Sequence, residues 1–70
     1  MNIGKSIKYG LIKNDMMAKD LAARLGVTAN YLSLLCSGGR MPSARILTSM
    51  AAVFDMPVSE FIALGEEKAA

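Results

Sequence analysis

Apolar residues along the chain recur every three or four positions, which is the spacing of one face of an α-helix. Ile3, Ile7 and Leu11 form the first stripe of this kind, and it predicts helix 1 over residues 2–13. Strict alternation of apolar and polar residues, the pattern of a half-buried strand, is absent from the sequence. The pattern therefore predicts an all-α fold.

Residues that start and stop helices divide the rest of the pattern into four further segments. Gly26 follows the second apolar stripe, as glycine often does just past a helix end. Thr28 and Ser43 precede the third and fourth stripes, where a hydroxyl can accept a backbone N–H. Pro57 suits the opening of a fifth helix. The predicted helices 2 to 5 cover about residues 16–25, 29–37, 44–54 and 57–64.

Three residues near the first helix carry expectations of their own. Asn14 and Asp15 interrupt the apolar pattern, and we expect them to cap helix 2. Gly10 costs helix 1 about 1 kcal/mol relative to alanine. We therefore expect another element to pack closely against the helix at this glycine.

The length and composition are those of one small domain. Seventy residues with 53% apolar content can enclose only a small core, and no apolar run reaches the length of a membrane span. We expect residues 1–65 to form the domain, with Gly65 ending helix 5 and residues 66–70 forming a disordered tail. One cysteine and no histidine exclude a disulfide framework and histidine acid–base chemistry, and we expect no metal or cofactor.

Charge is distributed unevenly along the chain. Residues 1–45 carry seven Lys/Arg and two Asp/Glu, a net charge of +5, whereas residues 46–70 carry one Lys and four Asp/Glu, a net charge of −3. This asymmetry indicates a polyanionic partner on the basic side. Ordinary solvated surface charge is the alternative interpretation.

Helices 2 and 3 are joined by about three residues around Gly26, which is the arrangement of a helix-turn-helix. Leu32 and Leu35 lie on the predicted buried side of helix 3. The opposite side carries short and polar side chains, namely Ala29, Asn30 and Ser33. A DNA major groove admits one α-helix, and short side chains let it sit deeply there. A tight corner in an ordinary helical bundle explains the same pattern, so both interpretations stay open.

Residues 20–62 read DLAARLGVTANYLSLLCSGGRMPSARILTSMAAVFDMPVSEFI. The order of short motifs in this stretch resembles the lambda repressor/Cro-type (XRE-type) helix-turn-helix family. The motifs of that family stand here at Leu21-Ala22, Leu25-Gly26-Val27, Thr28, Tyr31-Leu32, Gly38, Pro42-Ser43 and Val58-Ser59. The resemblance covers about residues 7–64, and it implies a compact five-helix lambda-repressor-like domain with helix 3 in the major groove of DNA.

The resemblance also implies three sets of site residues. The side chains that it places against the bases are Thr28, Ala29, Asn30, Ser33 and Leu34. The candidates for phosphate binding are Lys19, Ser37, Arg40 and Arg45. Lys5 and Lys8 are weaker candidates. The helix-turn-helix arrangement itself also allows the backbone N–H groups that begin helices 2 and 3 to hold phosphates. The residues that it places near a dimer contact are Met56, Pro57, Val58, Phe61 and Leu64, unless they close the core instead.

The chain departs from the family pattern at several positions. Ala18 and Ala29 stand where the family often has glutamine, and Leu34 stands where many members have a long polar side chain. Specificity is therefore expected to depend on methyl contacts and on DNA shape. Leu11 and Cys36 stand where some members have an internal Arg–Glu pair. We interpret Cys36 as a small residue at the edge of the core.

The resulting prediction is a sequence-specific regulator of transcription, a small Cro-like repressor that binds a palindromic operator as a dimer. Its expected partners are double-stranded DNA and a second copy of the chain, in the cytoplasm of a prokaryotic cell. We expect no enzymatic activity, no membrane partner and no small-molecule ligand. The alternative is a helical protein–protein interaction module, for example one like an antitoxin, that does not read DNA directly. Steep loss of binding with rising salt would distinguish the DNA-binding protein.

Overall fold

The computed structural model describes residues 2–69 of the chain, and the side chains of residues 2–66. The described residues form five helices and no strand. The helices are α1 (Ile3–Lys13), α2 (Ala18–Leu25), α3 (Ala29–Ser37), α4 (Ala44–Val53) and α5 (Val58–Ala69). The predicted all-α, five-helix fold is confirmed.

One hydrophobic core joins the five helices. Helix α1 packs mainly on α5 and also on α3, α2 packs on α3 and α4, and α4 packs on α5. The apolar stripes of the sequence supply the buried side chains, which include Ile3, Ile7, Leu21, Leu32, Leu35, Met50, Phe54 and Phe61. Helix α2 is supported by α4 and helix α3 by α1, so the helices on both sides of the α2–α3 turn are fixed in place.

Two glycines in α1 allow other helices to approach its backbone. A Cβ on Gly10 would lie 2.6 Å from a ring carbon of Phe54, so the expected close packing at this glycine is confirmed. A Cβ on Gly4 would overlap the carbonyl oxygen of Cys36 in α3. The glycine at position 4 therefore lets α1 lie directly against α3.

The contact between α1 and α5 is made by a buried serine and a glycine. The Oγ of Ser6 donates to the carbonyl oxygen of Ile62 at 3.4 Å and accepts from the N–H of Gly65 at 3.1 Å. A Cβ on Gly65 would overlap the carbonyl oxygen of Asn2. Gly65 is therefore a close-packing residue inside α5, and the prediction that it ends the helix is wrong.

Helix α5 continues past this glycine to Ala69. The prediction of a disordered tail covers residues 66–70, and part of it lies outside the described residues. Residue 70 is not described, and neither are the side chains of residues 67–69.

The connection between α1 and α2 also differs from the prediction. The side-chain amide of Asn14 donates to the carbonyl oxygen of Gly10 at 2.8 Å, so Asn14 closes the end of α1. Asp15 follows with a φ of 51°, a left-handed conformation that Asp tolerates better than most residues. The residue before α2 is Met17. The prediction that Asn14 and Asp15 cap α2 is therefore wrong.

Helices α4 and α5 meet at a sharp corner. Their axes differ in direction by 88°, and Asp55 in the turn between them has a φ of 56°. No single helix in the described part of the chain has the length and apolar content to cross a membrane, although α4 and α5 taken together pass that test by length and composition.

Removal of the Ser6 hydroxyl should weaken the α1–α5 contact. We expect Ser6→Ala to lower the free energy of unfolding by about 1–3 kcal/mol, because the buried N–H of Gly65 loses its hydroxyl partner. Thr48→Ala is the matched control, since the Thr48 hydroxyl also donates to a helix carbonyl, at 2.9 Å, but is exposed. Its expected loss is below about 0.5 kcal/mol. Urea denaturation measures both, and equal losses would contradict the role of Ser6.

Candidate nucleic-acid interface

The turn between α2 and α3 is built from a glycine and a threonine, as the sequence predicts. Gly26 ends α2 in the left-handed conformation, with a φ of 73°, and the N–H of Val27 donates to the carbonyl oxygen of Ala22 at 3.0 Å. The hydroxyl of Thr28 then accepts the N–H of Tyr31 at 3.1 Å and begins α3. These local bonds fix the direction in which α3 leaves the turn.

Helix α3 is buried on one side and exposed on the other. Leu32 and Leu35 are each 1% exposed and hold the helix on the core. The residues predicted to read bases are all exposed: Thr28, Ala29, Asn30, Ser33 and Leu34. The largest of them, Leu34, is 44% exposed. The turn and the outer side of α3 therefore present one surface of small, polar and methyl-bearing groups.

An arginine lies beside this surface in a contact that sequence reasoning missed. Gly38 ends α3 with a φ of 86°, and the N–H groups of Gly39 and Arg40 both donate to the carbonyl oxygen of Leu34, at 2.9 and 3.3 Å. The guanidinium of Arg40 lies 5.9 Å from the centre of the Tyr31 ring, which is the distance of a cation–π contact. The ring thus holds a positive charge beside α3.

The other candidates for phosphate binding lie at helix ends. Lys19 is the second residue of α2 and Arg45 is the second residue of α4, and both are exposed. Ser37 is exposed in the last turn of α3, and its hydroxyl donates to the carbonyl oxygen of Leu34 at 3.2 Å. The Ser37 hydroxyl would have to leave that carbonyl before it could donate to a phosphate oxygen.

The start of α2 carries a negative charge. The Asp20 carboxylate accepts the N–H of Met17 at 3.3 Å, so an acidic side chain satisfies a backbone group at this helix end. A carboxylate there disfavours a second anion. Lys19 is therefore the better phosphate candidate at this end of α2 than the backbone N–H groups are.

An open cleft of about 480 Å³ lies between α1 and α3. Its lining includes Leu11 and Cys36. We expected Cys36 at the edge of the core, but the residue is exposed. Partial burial nevertheless raises the pKa of its thiol above the usual value, and the positive charge of Lys8 acts in the opposite direction. The thiol is thus held in its neutral form at neutral pH.

The residues predicted at a dimer contact divide into two groups. Phe61 is fully buried with its ring centre 5.8 Å from that of Phe54, and Met56 is 9% exposed. These two side chains pack in the core of the single chain, which is the alternative that the sequence left open for them. Pro57 is exposed, and Val58 and Leu64 are partly buried.

The described residues contain no group of three or more His, Cys, Asp or Glu side chains arranged to hold a metal ion. Comparison with known families gives one match, a helix-turn-helix family model that aligns with residues 7–61. The matched region runs from α1 to the middle of α5 and includes the whole α2–α3 surface. No curated protein matches the chain.

Proposed function

Since this chain belongs to the XRE-type (lambda repressor/Cro-like) helix-turn-helix family and is therefore a DNA-binding regulator, we propose that it is a small Cro-like repressor. In this proposal it binds a palindromic operator as a dimer, with α3 of each copy in the major groove. The observation that carries the proposal is the outer side of α3, exposed along its length while Leu32 and Leu35 anchor the inner side.

Each side chain proposed to read bases matches a chemical group in the major groove. The side-chain amide of Asn30 both donates and accepts, which matches the N7 acceptor and the N6 donor of adenine. Ala29 and Leu34 are apolar and fit thymine methyl groups. The hydroxyls of Thr28 and Ser33 suit either a base edge or a phosphate oxygen. With one amide on this surface, much of the specificity comes from methyl contacts and DNA shape.

The dimer in this proposal uses the corner between α4 and α5. Pro57 is exposed at that corner, and the partly buried Val58 and Leu64 lie on the helix that follows. One α3 helix reads only a few base pairs, so a second copy is needed for a longer site. Two half-sites about 34 Å apart, one turn of DNA, would place both α3 helices on the same face of the duplex.

Selection of bound sequences from a random duplex pool tests the proposal. We expect the wild-type protein to enrich a site with two-fold symmetry. Asn30→Ala should relax the preference at one position in each half-site and cost about 1–3 kcal/mol there, because the bidentate pair is lost.

Arg45→Gln is the control for this selection, because loss of a phosphate contact weakens binding to all sequences about equally and leaves the preference unchanged. A pool that stays unenriched by the wild-type protein would overturn the proposal and favour the protein-interaction module. An enriched site that Asn30→Ala leaves unchanged would remove Asn30 from the base-reading set.

A further inference from the structure

Apolar side chains are exposed at the connection between α1 and α2. Ile12, near the end of α1, is 68% exposed, and Met17, the residue before α2, is 62% exposed. With Leu11 and Met16 they form the α1–α2 patch, which together with Asp15 lines an open depression of about 330 Å³. None of the described residues of α3, α4 or α5 lines this depression. Neither the base-reading surface nor the proposed dimer corner therefore uses the patch.

Hydrogen bonds within the connection hold the patch in one conformation. The N–H of Met16 donates to the carbonyl oxygen of Leu11 at 2.9 Å. The N–H of Met17 donates to the carboxylate of Asp20 at 3.3 Å. Because this backbone is already ordered, a partner that binds the patch does not have to order it first, which lowers the entropic cost of binding.

The patch carries two charges of opposite sign. Lys13 follows Ile12 at the end of α1, Asp15 lies in the lining of the depression, and both residues are exposed. Within the described part of the chain neither side chain forms an ion pair. In a contact between two copies related by a two-fold axis, residue i meets residue j of the other copy and j meets i. Lys13 of each copy can therefore pair with Asp15 of the other, so the charges suit a contact of the patch with itself.

The size of the patch indicates when such a contact forms. Ile12 and Met17 are its strongly exposed members, and two side chains supply far less than the roughly 800 Å² that each partner buries in a stable interface. A contact this small needs partners that are already held side by side, where the effective concentration reaches the millimolar range. Two copies bound to neighbouring sites on one DNA molecule meet this condition.

The symmetry of neighbouring sites agrees with a contact of this kind. Two palindromic sites in tandem are related by a two-fold axis midway between them. The copies that face each other across this axis therefore present the same surface to each other. Such a contact requires a self-complementary surface, and the charges of the α1–α2 patch meet that requirement.

We propose that the α1–α2 patch binds the same patch of a second copy on the neighbouring DNA site and so makes the occupation of adjacent sites cooperative. Ile12 and Met17 of the two copies pack together, and the Lys13–Asp15 pairs lie at the edge. This inference rests on the proposed function, since DNA brings the copies together. It adds a contact that is separate from the α4–α5 corner.

Binding to duplexes with one or two sites tests the inference. Both duplexes carry the site that the wild-type protein selects, and in the second the spacing between sites increases by one base pair at a time over two helical turns. At a favourable spacing we expect a copy to bind beside an occupied site at least tenfold more tightly than it binds a single site. The gain should recur with the period of the double helix, about 10.5 base pairs. No gain at any spacing would overturn the inference.

Met17→Gln tests whether the patch causes the gain. We expect this variant to lose most of the gain and to keep the wild-type affinity for a single site, because glutamine has a similar length but resists transfer from water. Met41→Gln is the matched control, since Met41 is 68% exposed but does not line the depression. Circular dichroism checks that both variants keep the wild-type fold. A Met17→Gln protein with the same gain as Met41→Gln would mean that the patch is not the contact.

The charges provide a second test in which one substitution should repair another. Lys13→Glu places like charges at the contact and should reduce the gain at least threefold. Adding Asp15→Asn removes the repelling charge, and asparagine tolerates the left-handed conformation of position 15. We therefore expect the double variant to recover part of the gain. A double variant with the same gain as Lys13→Glu, or a smaller one, would contradict the pairing of the two copies.

Failure of this inference is distinguishable from failure of the proposed function. If the wild-type protein enriches no duplex, the proposed function fails and the inference fails with it. If the protein selects a site whose sequence depends on Asn30, but an occupied neighbouring site gives no gain, only the contact between neighbouring copies is overturned.

Discussion

Phe61→Ala should remove most or all of the stability of the fold. Phe61 has no exposed surface, and its ring packs on that of Phe54 with centres 5.8 Å apart. Truncation of a buried phenylalanine costs about 3–5 kcal/mol, whereas a chain of this length has a total stability of about 3.5–10 kcal/mol. Circular dichroism during urea denaturation measures the loss.

The same substitution tests whether Phe61 is a core or a dimer residue. Pro57→Ala is the control, because Pro57 lies in the same corner but is exposed, and its expected effect on stability is within about 0.5 kcal/mol. If Phe61 is a core residue, its truncation lowers the free energy of unfolding at every protein concentration. A Phe61→Ala protein that melts like the wild type but has become monomeric would contradict the core assignment.

Local signals predicted most of the fold correctly. The hydroxyls of Thr28 and Ser43 each accept a backbone N–H in the first turn of the following helix, at 3.1 and 3.2 Å. Gly26 takes the left-handed conformation that ends α2. These bonds join residues that are near neighbours in the sequence. A sequence pattern is sufficient to predict them, because no distant residue takes part.

One wrong prediction and one question that the sequence left open depend on contacts between distant residues. Gly65 was interpreted as a helix end, but it lies against Asn2 and Ser6 at the other end of the chain. Met56 and Phe61 have the side chains that either a core or a dimer interface requires. Only the packing of α5 on its neighbours decides between the two, and helical periodicity does not contain that information.

The features of the candidate site also divide into those that local sequence predicts and those that depend on tertiary packing. The exposure of Asn30 and Ser33 follows from the helical period once Leu32 and Leu35 are placed in the core. The contact between Arg40 and Tyr31 depends on the path of the loop after α3, and the α1–α3 cleft depends on the packing of two helices. Sequence reasoning accordingly predicted the exposed surface of α3 more completely than the positive charge beside it.

Ser33→Glu should cause the largest loss of DNA binding among single changes on α3. Ser33 is exposed and lies both on the outer side of α3 and in the wall of the α1–α3 cleft. A carboxylate there would face the phosphates of the groove, and such like-charge contacts cost several kcal/mol. A loss of about 2.7 kcal/mol corresponds to about a hundredfold weaker binding. Fluorescence anisotropy with the selected duplex measures the affinity.

Ser33→Gln separates the effect of charge from the effect of size, because glutamine has the length of glutamate without its charge. Both variants should keep the wild-type free energy of unfolding, since the side chain at this position is exposed. We expect the glutamine variant to bind at least tenfold more tightly than the glutamate variant, and the difference should shrink as salt screens the phosphates. Equal binding by the two variants at low salt would mean that position 33 does not face DNA, and α3 would then have to meet its partner through another side.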